Sequence, residues 1–175
     1  HASRYTDKEK DRILKFGLKT SSKDNLFDRI QNLLTDGYID EEESEFLKKH
    51  HLLIKQDNMR ENQLWVTLGN VNISYSVDCG LYNFYDNYGG EIQYSCIEDS
   101  LLGNKLKSLS KPYLVILKLY PTQIVEYGLS ILVDNIFNRI KLNNSEDVDY
   151  EFFTTEGIVP IEDIIQIDKD SKIKF

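Results

Sequence analysis

Apolar positions near the start of the chain predict a strand followed by a helix. Apolar residues crowd positions 13–18, which predicts a first strand that runs into a Ser/Thr-rich loop at 20–22. Over residues 24–36 the apolar residues recur three and four positions apart, as on one face of a helix. Gly37 is a natural stop for that helix, and Ser22 or Asp24 can cap its beginning.

A second short helix is predicted directly afterwards. Asp40 is followed three residues later by Glu43, a spacing typical of a capping box. Phe46 and Leu47 would then face the interior. Residues 48–63 are polar and are predicted to form a loop.

The middle of the chain contains a helical pattern between two β-type runs. Residues 64–68 form a compact β-type run. Residues 71–88 carry apolar residues at helical spacing up to a Gly-Gly pair, which predicts a helix, and 91–97 form another β-type run.

The last third contains the strongest strand signal. Residues 113–120 are almost continuously apolar and end at Pro121, so we expect a central strand. A helical pattern follows over 129–140, and 150–153 and 164–167 close the chain as strands. Helices and strands mix without regular βαβ spacing, which predicts an α+β fold with a mixed, largely antiparallel sheet flanked by helices.

Composition supports one folded domain. The chain has 175 residues, of which 41% are hydrophobic and 29% charged, so one core can form. We expect residues 1–12 to be a polar lead-in and residues 13–175 to form a single domain. The apolar runs are too short for a membrane helix, so no membrane segment is expected.

The charge balance argues against a nucleic-acid partner. Lysine and arginine number 21 against 29 acidic residues, a net charge of −8, and phosphate backbones are bound mainly by clustered cations. Residues 64–104 contain no lysine or arginine but several tyrosines and carboxylates. Such a stretch suits a protein or small-molecule partner better.

Two further features bear on redox state and metal binding. Cys79 and Cys96 favour reduced thiols and a cytoplasmic working place, although a single disulfide remains possible. His50 and His51 are adjacent, and nothing completes a zinc pattern around them. Residues 32–43 resemble the back half of a calcium loop but carry Leu34 at a ligand position. No metal site is therefore expected.

The carboxyl-terminal string 147–164 is the most informative segment. On a strand, Asp149 and Glu151 would share one face. By composition alone, this is an edge strand with a solvated acidic face. The string nevertheless resembles the last strand of the ADP-ribosyltransferase-like superfamily, in which a catalytic Glu opens an apolar run and an Ile-x-Pro turn then leads to an Ile of the following strand. Matching positions are held by Glu151, Ile158, Pro160 and Ile164.

The resemblance extends in order over residues 13–167. The opening strand and helix, the run around Thr67, and the strand 113–120 stand where the family has corresponding elements. It implies a single-domain mono-ADP-ribosyltransferase of the toxin, effector or phage type, which transfers ADP-ribose from NAD to a protein. Such a protein can be delivered into a target cell, and a cognate inhibitor protein can accompany it.

The resemblance also implies roles for particular residues. Glu151 would stabilise the charge that develops on the ribose, and Asp149 would orient the nucleophile of the target. Thr67 would shape the wall of the NAD pocket. One of three tyrosines would stack on nicotinamide: Tyr75, Tyr82 or Tyr85. Their alternative role is core packing with the hydroxyl at the surface.

One expected feature is missing from the sequence pattern. The family places an Arg or His on its first strand to hold NAD, and residues 12–19 offer neither in a clean position. Lys19 or Lys15 would neutralise the pyrophosphate instead, without the bidentate fork of arginine. The alternative interpretation of both lysines is an ordinary, solvated strand edge.

Two other functions stay open. A catalytically silent module on the same fold would bind a protein partner through its tyrosine-rich face. An NAD-consuming phosphotransferase acting on RNA is disfavoured by the scarcity of basic residues.

Overall fold

A computed structural model gives the fold of the chain. It describes residues 1–51, 54, 61–68, 88–89, 96–97, 100–125, 130, 133–134, 137 and 150–167. Three predicted elements lie wholly or mostly outside these residues: the helix 71–88, the strand 91–97 and the helix 129–140.

Helices and strands alternate along the described chain. The helices are α1 (Asp7–Phe16), α2 (Lys23–Thr35), α3 (Glu41–His50) and α4 (Leu101–Leu109), with a short 3₁₀ turn at Pro121–Gln123. The strands are β1 (Ala2–Tyr5), β2 (Leu18–Lys19), β3 (Leu64–Leu68), β4 (Lys111–Leu117), β5 (Tyr150–Thr154), β6 (Ile158–Val159) and β7 (Ile161–Gln166).

The largest sheet has three antiparallel strands in the order β1-β4-β7. Its middle strand β4 buries Tyr113, Leu114 and Val115 between its two neighbours, so the predicted central strand is confirmed. It ends at Leu117, where the pairing with β7 shifts register at Ile116/Leu117.

Two further antiparallel ladders pair distant parts of the chain. β2 pairs with β6, and β3 pairs with β5. Helices together with antiparallel sheets confirm the α+β class. The strands predicted over 64–68, 150–153 and 164–167 are present within a few residues of their predicted bounds.

Residues 1–12 are part of the fold and not a lead-in. Ala2–Tyr5 form an edge of the main sheet, with Ala2 opposite Leu114 and Tyr5 opposite Lys111. Ser3, Tyr5 and Thr6 are buried. Three of its polar residues, Arg4, Thr6 and Glu9, form hydrogen bonds within the protein.

The strand predicted over 13–18 is wrong, because most of this run belongs to α1. Thr6 Oγ1 accepts a hydrogen bond from Glu9 N at 3.2 Å, and Glu9 Oε2 accepts one from Thr6 N at 2.8 Å. This capping box starts a helix that continues to Phe16. Gly17, with φ +87°, ends it and leaves only Leu18–Lys19 as strand.

The two helices predicted next are confirmed. Ser22 caps α2, which buries Leu26, Ile30 and Leu33. Asp40 caps α3 through the predicted box with Glu43.

One detail of α3 differs from the prediction. Leu47 is fully buried, but Phe46 is 39% exposed and stacks on His50. The helix also includes residues 48–50, which had been assigned to a loop.

The helix α4 was not predicted. Ser100 caps it by accepting a hydrogen bond from Gly103 N at 2.9 Å, and Leu102 and Leu106 face the core. Arg4 closes its other end, donating to the carbonyl oxygens of Lys107 at 3.1 Å and Ser110 at 2.7 Å.

Buried apolar residues form two clusters. The first packs α2, α3 and α4 together with Tyr88 and Ile97. The second lies among the strands and includes Leu18, Val66 and Val115. Within the described residues, none of the helices combines the length and apolar character needed to cross a bilayer.

Candidate functional site

The β3–β5 ladder brings two of the predicted site residues together. Both strands are rich in aromatic and β-branched residues, which favour extended pairing. They run antiparallel from the Leu64–Thr154 pair to the Leu68–Tyr150 pair. Within this register Thr67 stands directly opposite Glu151.

The two faces of this ladder differ in chemistry. Leu64 and Val66 are buried in the second apolar cluster, and Thr154 is fully buried. Trp65 and Phe153, the alternate pair, contact each other with ring centroids 5.1 Å apart and an interplanar angle of 33°. Both rings are half-buried. The ladder therefore has an apolar inner side and an aromatic outer side.

His1 joins this ladder from the main sheet. Its carbonyl oxygen accepts a hydrogen bond from Val115 N at 2.7 Å, which extends the pairing of β1 with β4. Its ring Nδ1 lies 2.9 Å from the carbonyl oxygen of Trp65. A carbonyl can only accept, so Nδ1 carries the hydrogen, and Nε2 of a neutral ring is then an acceptor.

The sequence reasoning missed His1 because it placed the first strand too late. The expected Arg or His was sought over residues 12–19, whereas the first strand is β1. The available signal was the Thr6/Glu9 capping spacing, which would have moved the first helix forward and exposed a strand before it. Arg4 also lies on β1, but its guanidinium caps α4.

The two lysines proposed for the pyrophosphate lie on other elements. Lys19 pairs with Ile158 in the β2–β6 ladder, and its Nζ donates to Asp28 Oδ2 at 3.1 Å. Lys15 is part of α1, with Nζ 4.9 Å from the centroid of the Phe16 ring. The strand position expected for Lys15 is therefore wrong.

The remaining predicted site residues lie outside the described part of the chain. These are Asp149, Tyr75, Tyr82 and Tyr85. The motif residues after Glu151 are described: Ile158 is in β6, Pro160 follows it, and Ile164 is in β7.

A second group of ionisable residues lies in the interior near α1 and α2. Glu9 Oε1 accepts hydrogen bonds from Arg29 Nε at 2.6 Å and from the Tyr88 hydroxyl at 2.7 Å. The Arg29 guanidinium stands 5.5 Å from the Tyr5 ring centroid and 4.9 Å from that of Tyr88. The pair is thus enclosed by two aromatic rings.

Burial and charge act in opposite directions on this group. Burial lowers the pKa of Arg29, but Glu9 and the phenols of Tyr88 and Tyr5 raise it by more than burial lowers it. The net pKa is raised, so the guanidinium stays charged. Burial raises the pKa of Tyr5 to about 12, so its phenol stays neutral. Nearby, burial and then Arg29 lower the pKa of His51 from 6.5 to about 4. Both carboxylate oxygens of Glu9 are engaged: Oε2 accepts a hydrogen bond from Thr6 N, and Oε1 accepts bonds from Arg29 and Tyr88. These bonds connect α1 with α2 and Tyr88, so we assign this group to stability.

Comparison of the chain with family models, curated proteins and solved structures finds no match. The geometry of the β3–β5 ladder and the motif residues around it are therefore the basis for a functional proposal.

Proposed function

We propose that the protein is an NAD-dependent mono-ADP-ribosyltransferase of the toxin or effector type that modifies a protein. One observation carries the proposal: the β3–β5 register sets Thr67 opposite Glu151, and the His1 ring bonds the backbone two residues from Thr67. The resemblance assigns a role to both of these positions, each on its own strand. Further support comes from β5, β6 and β7, which follow one another as the Glu151, Pro160 and Ile164 motif requires.

The proposed reaction breaks the bond between the ribose C1 and the nicotinamide nitrogen. The bonding electrons leave with nicotinamide, which becomes neutral, and the ribose gains oxocarbenium character. A carboxylate at Glu151 stabilises charge that exists only in the transition state, so it lowers the barrier to cleavage. Glycoside hydrolysis uses carboxylates in the same way. The target's nucleophile then bonds to C1 and loses its proton, with Asp149 as its orienting group.

The roles in binding NAD are divided among several residues in this proposal. His1 is suited to a ribose hydroxyl, because its Nε2 accepts hydrogen bonds while Nδ1 is held by Trp65. Thr67 contributes to the pocket wall. Lys19 or Lys15 would approach the pyrophosphate, and Tyr75, Tyr82 or Tyr85 would stack on nicotinamide.

A second candidate is a silent module that binds a protein partner. It is favoured by the contacts of the two lysines expected to bind pyrophosphate. Lys19 donates a hydrogen bond to Asp28, and Lys15 lies over the ring of Phe16. A pyrophosphate would have to compete with the Asp28 carboxylate for Lys19. A partner-binding module needs no such exchange.

NAD consumption and transfer by the purified protein distinguish the two candidates. The test variant is Glu151→Gln, which keeps the shape and removes the charge. The matched control is Glu162→Gln, an exposed carboxylate on β7. We expect Glu151→Gln to lower turnover about a hundredfold or more, equivalent to about 3 kcal/mol of transition-state stabilisation, and Glu162→Gln to leave it unchanged.

Equal turnover in Glu151→Gln and wild type would contradict the catalytic role of this residue. Absence of NAD binding and consumption by the wild type, with and without a cell extract as a source of targets, would favour the interaction module.

A further inference from the structure

The Trp65–Phe153 pair has features of a ligand subsite that no catalytic role uses. The two rings lie two positions from the Thr67–Glu151 pair along the same ladder, with Val66–Phe152 between them. The Trp65 indole is held in place because its Nε1 donates to Gln63 Oε1 at 2.9 Å. Both rings are half-buried, so each keeps some surface toward solvent. A fixed aromatic pair at this degree of burial can accept a flat ligand without reorganising.

The two strands that carry the rings contain no lysine or arginine. β3 opens a stretch, residues 64–104, without any lysine or arginine. β5 lies within another such stretch, residues 142–168, which is rich in Asp and Glu. The ladder therefore joins strands from the two cation-free segments, with Glu151 two positions from Phe153 on β5. A carboxylate on the same ladder, with no lysine or arginine on either strand, favours a positive ligand over a neutral one.

We infer that Trp65 and Phe153 form a subsite for a flat organic cation. The face of an aromatic ring is electron-rich, and tryptophan attracts cations most strongly among the aromatic side chains. Two common biological groups have this chemistry: the pyridinium of an oxidised nicotinamide cofactor and the guanidinium of an arginine side chain. The inference does not rest on the proposed transferase activity, because a cation can bind here without any transfer.

The chain supplies its own optical probe for this subsite. Trp65 is the only tryptophan, so its fluorescence reports on this position alone. The first matched probes are 1-methylnicotinamide, a cation, and neutral nicotinamide. The second pair is N-acetylarginine methylamide and its neutral citrulline counterpart. Free N-acetyltryptophanamide serves as the reference for collisional quenching, which does not saturate.

We expect saturable binding of at least one cation, with a dissociation constant about threefold or more below that of its neutral partner. The preference should shrink at high salt as the field is screened. None of these probes is NAD, so the titration on the wild type does not depend on NAD cleavage. The pair that shows the preference identifies the source of the cation.

Variants separate the rings from general effects on folding. Ligand-observed NMR follows binding in Trp65→Leu and Phe153→Leu, with Phe46→Leu as the control because Phe46 is a partly exposed aromatic residue on α3. Thermal unfolding confirms that each variant is folded. Loss of cation preference in both ladder variants and its retention in Phe46→Leu would support the subsite. Equal binding of charged and neutral probes by the wild type would overturn it, whatever the outcome of the NAD assay.

Discussion

His51 should make the stability of the protein fall steeply in mild acid. The side chain is 3% exposed, and burial, with a further contribution from Arg29, lowers its pKa from 6.5 to about 4. The folded state therefore holds the ring neutral at pH values where the unfolded chain already takes up a proton. Stability is complete above pH 6.5 and is lost as the pH falls towards 4.

The size of this effect follows from the shift itself. The two pKa values are about 2.5 units apart, and each unit is worth about 1.4 kcal/mol. The free energy of unfolding should therefore fall by about 3 kcal/mol between pH 7 and pH 4 because of His51 alone. This is a large share of the stability of a typical domain.

Urea unfolding at a series of pH values measures this loss, and the neighbouring histidine provides the control. His51→Gln removes the titrating group, whereas His50→Gln removes the half-buried neighbouring histidine of α3. We expect His51→Gln to flatten the pH dependence by about 3 kcal/mol and His50→Gln to leave it as in wild type.

Carboxylates contribute a background that all three proteins share. A hydrogen bond from Lys111 lowers the pKa of Asp7, and one from Arg12 lowers that of Asp36, so both lose stabilising interactions as acid protonates them. The difference between His51→Gln and wild type cancels this background. Parallel curves for those two proteins would refute the reasoning, since they would mean that the folded state accepts the proton as readily as the unfolded chain.

Two further predictions concern the interior and the glycine turns. Arg29→Met should destabilise the protein by about 3–5 kcal/mol, because it leaves the Glu9 carboxylate buried without its cation; a double-mutant cycle with Glu9→Gln should recover part of this loss in urea unfolding, and strict additivity would contradict the coupling. Gly17→Ala should cost more stability than Gly37→Ala: both glycines have positive φ, but only at Gly17 would a Cβ come within 2.7 Å of the Val159 carbonyl oxygen. Equal melting temperatures for these two variants would show that the strand can move aside.

Elements whose signals are local were predictable from the sequence. The α2 helix carries its cap, its apolar stripe and its stop within residues 22–37. Residues 113–117 of β4 form an unbroken apolar run, which favours a position in the middle of a sheet. In both cases the pattern and the tertiary environment require the same structure.

The first elements were mispredicted because their structure depends on distant partners. Apolar residues at 13, 14, 16 and 18 fit a strand or a helix almost equally well. Glu9 favours the helix, because its carboxylate accepts a hydrogen bond from Thr6 N at the start of α1 and another from Arg29 in the interior. β1 is polar in sequence and becomes a strand through its pairing with β4. The Thr6/Glu9 capping spacing is a local signal that the prediction overlooked, whereas the contact of Glu9 with Arg29 and the pairing of β1 with β4 are not visible in a local window.

The sequence singles out Glu151 and Thr67 as candidates, but it does not indicate how they are arranged. Glu151 and Thr67 were each singled out from their own strand. Their direct pairing depends on a register between segments 84 positions apart, which no local pattern encodes. His1 was missed for the same reason, because its place beside Trp65 depends on the position of β1 next to β4.

The pairing of the strands has a consequence for how the chain reaches its fold. The described ladders join segments far apart in sequence: β1 pairs with β4, β2 with β6 and β3 with β5. Contacts of this kind require the closure of long loops, so we expect slow folding. During synthesis β1 and β3 emerge before their partners β4 and β5. The candidate site, built on β1, β3 and β5, can therefore form only after β5 has been synthesised.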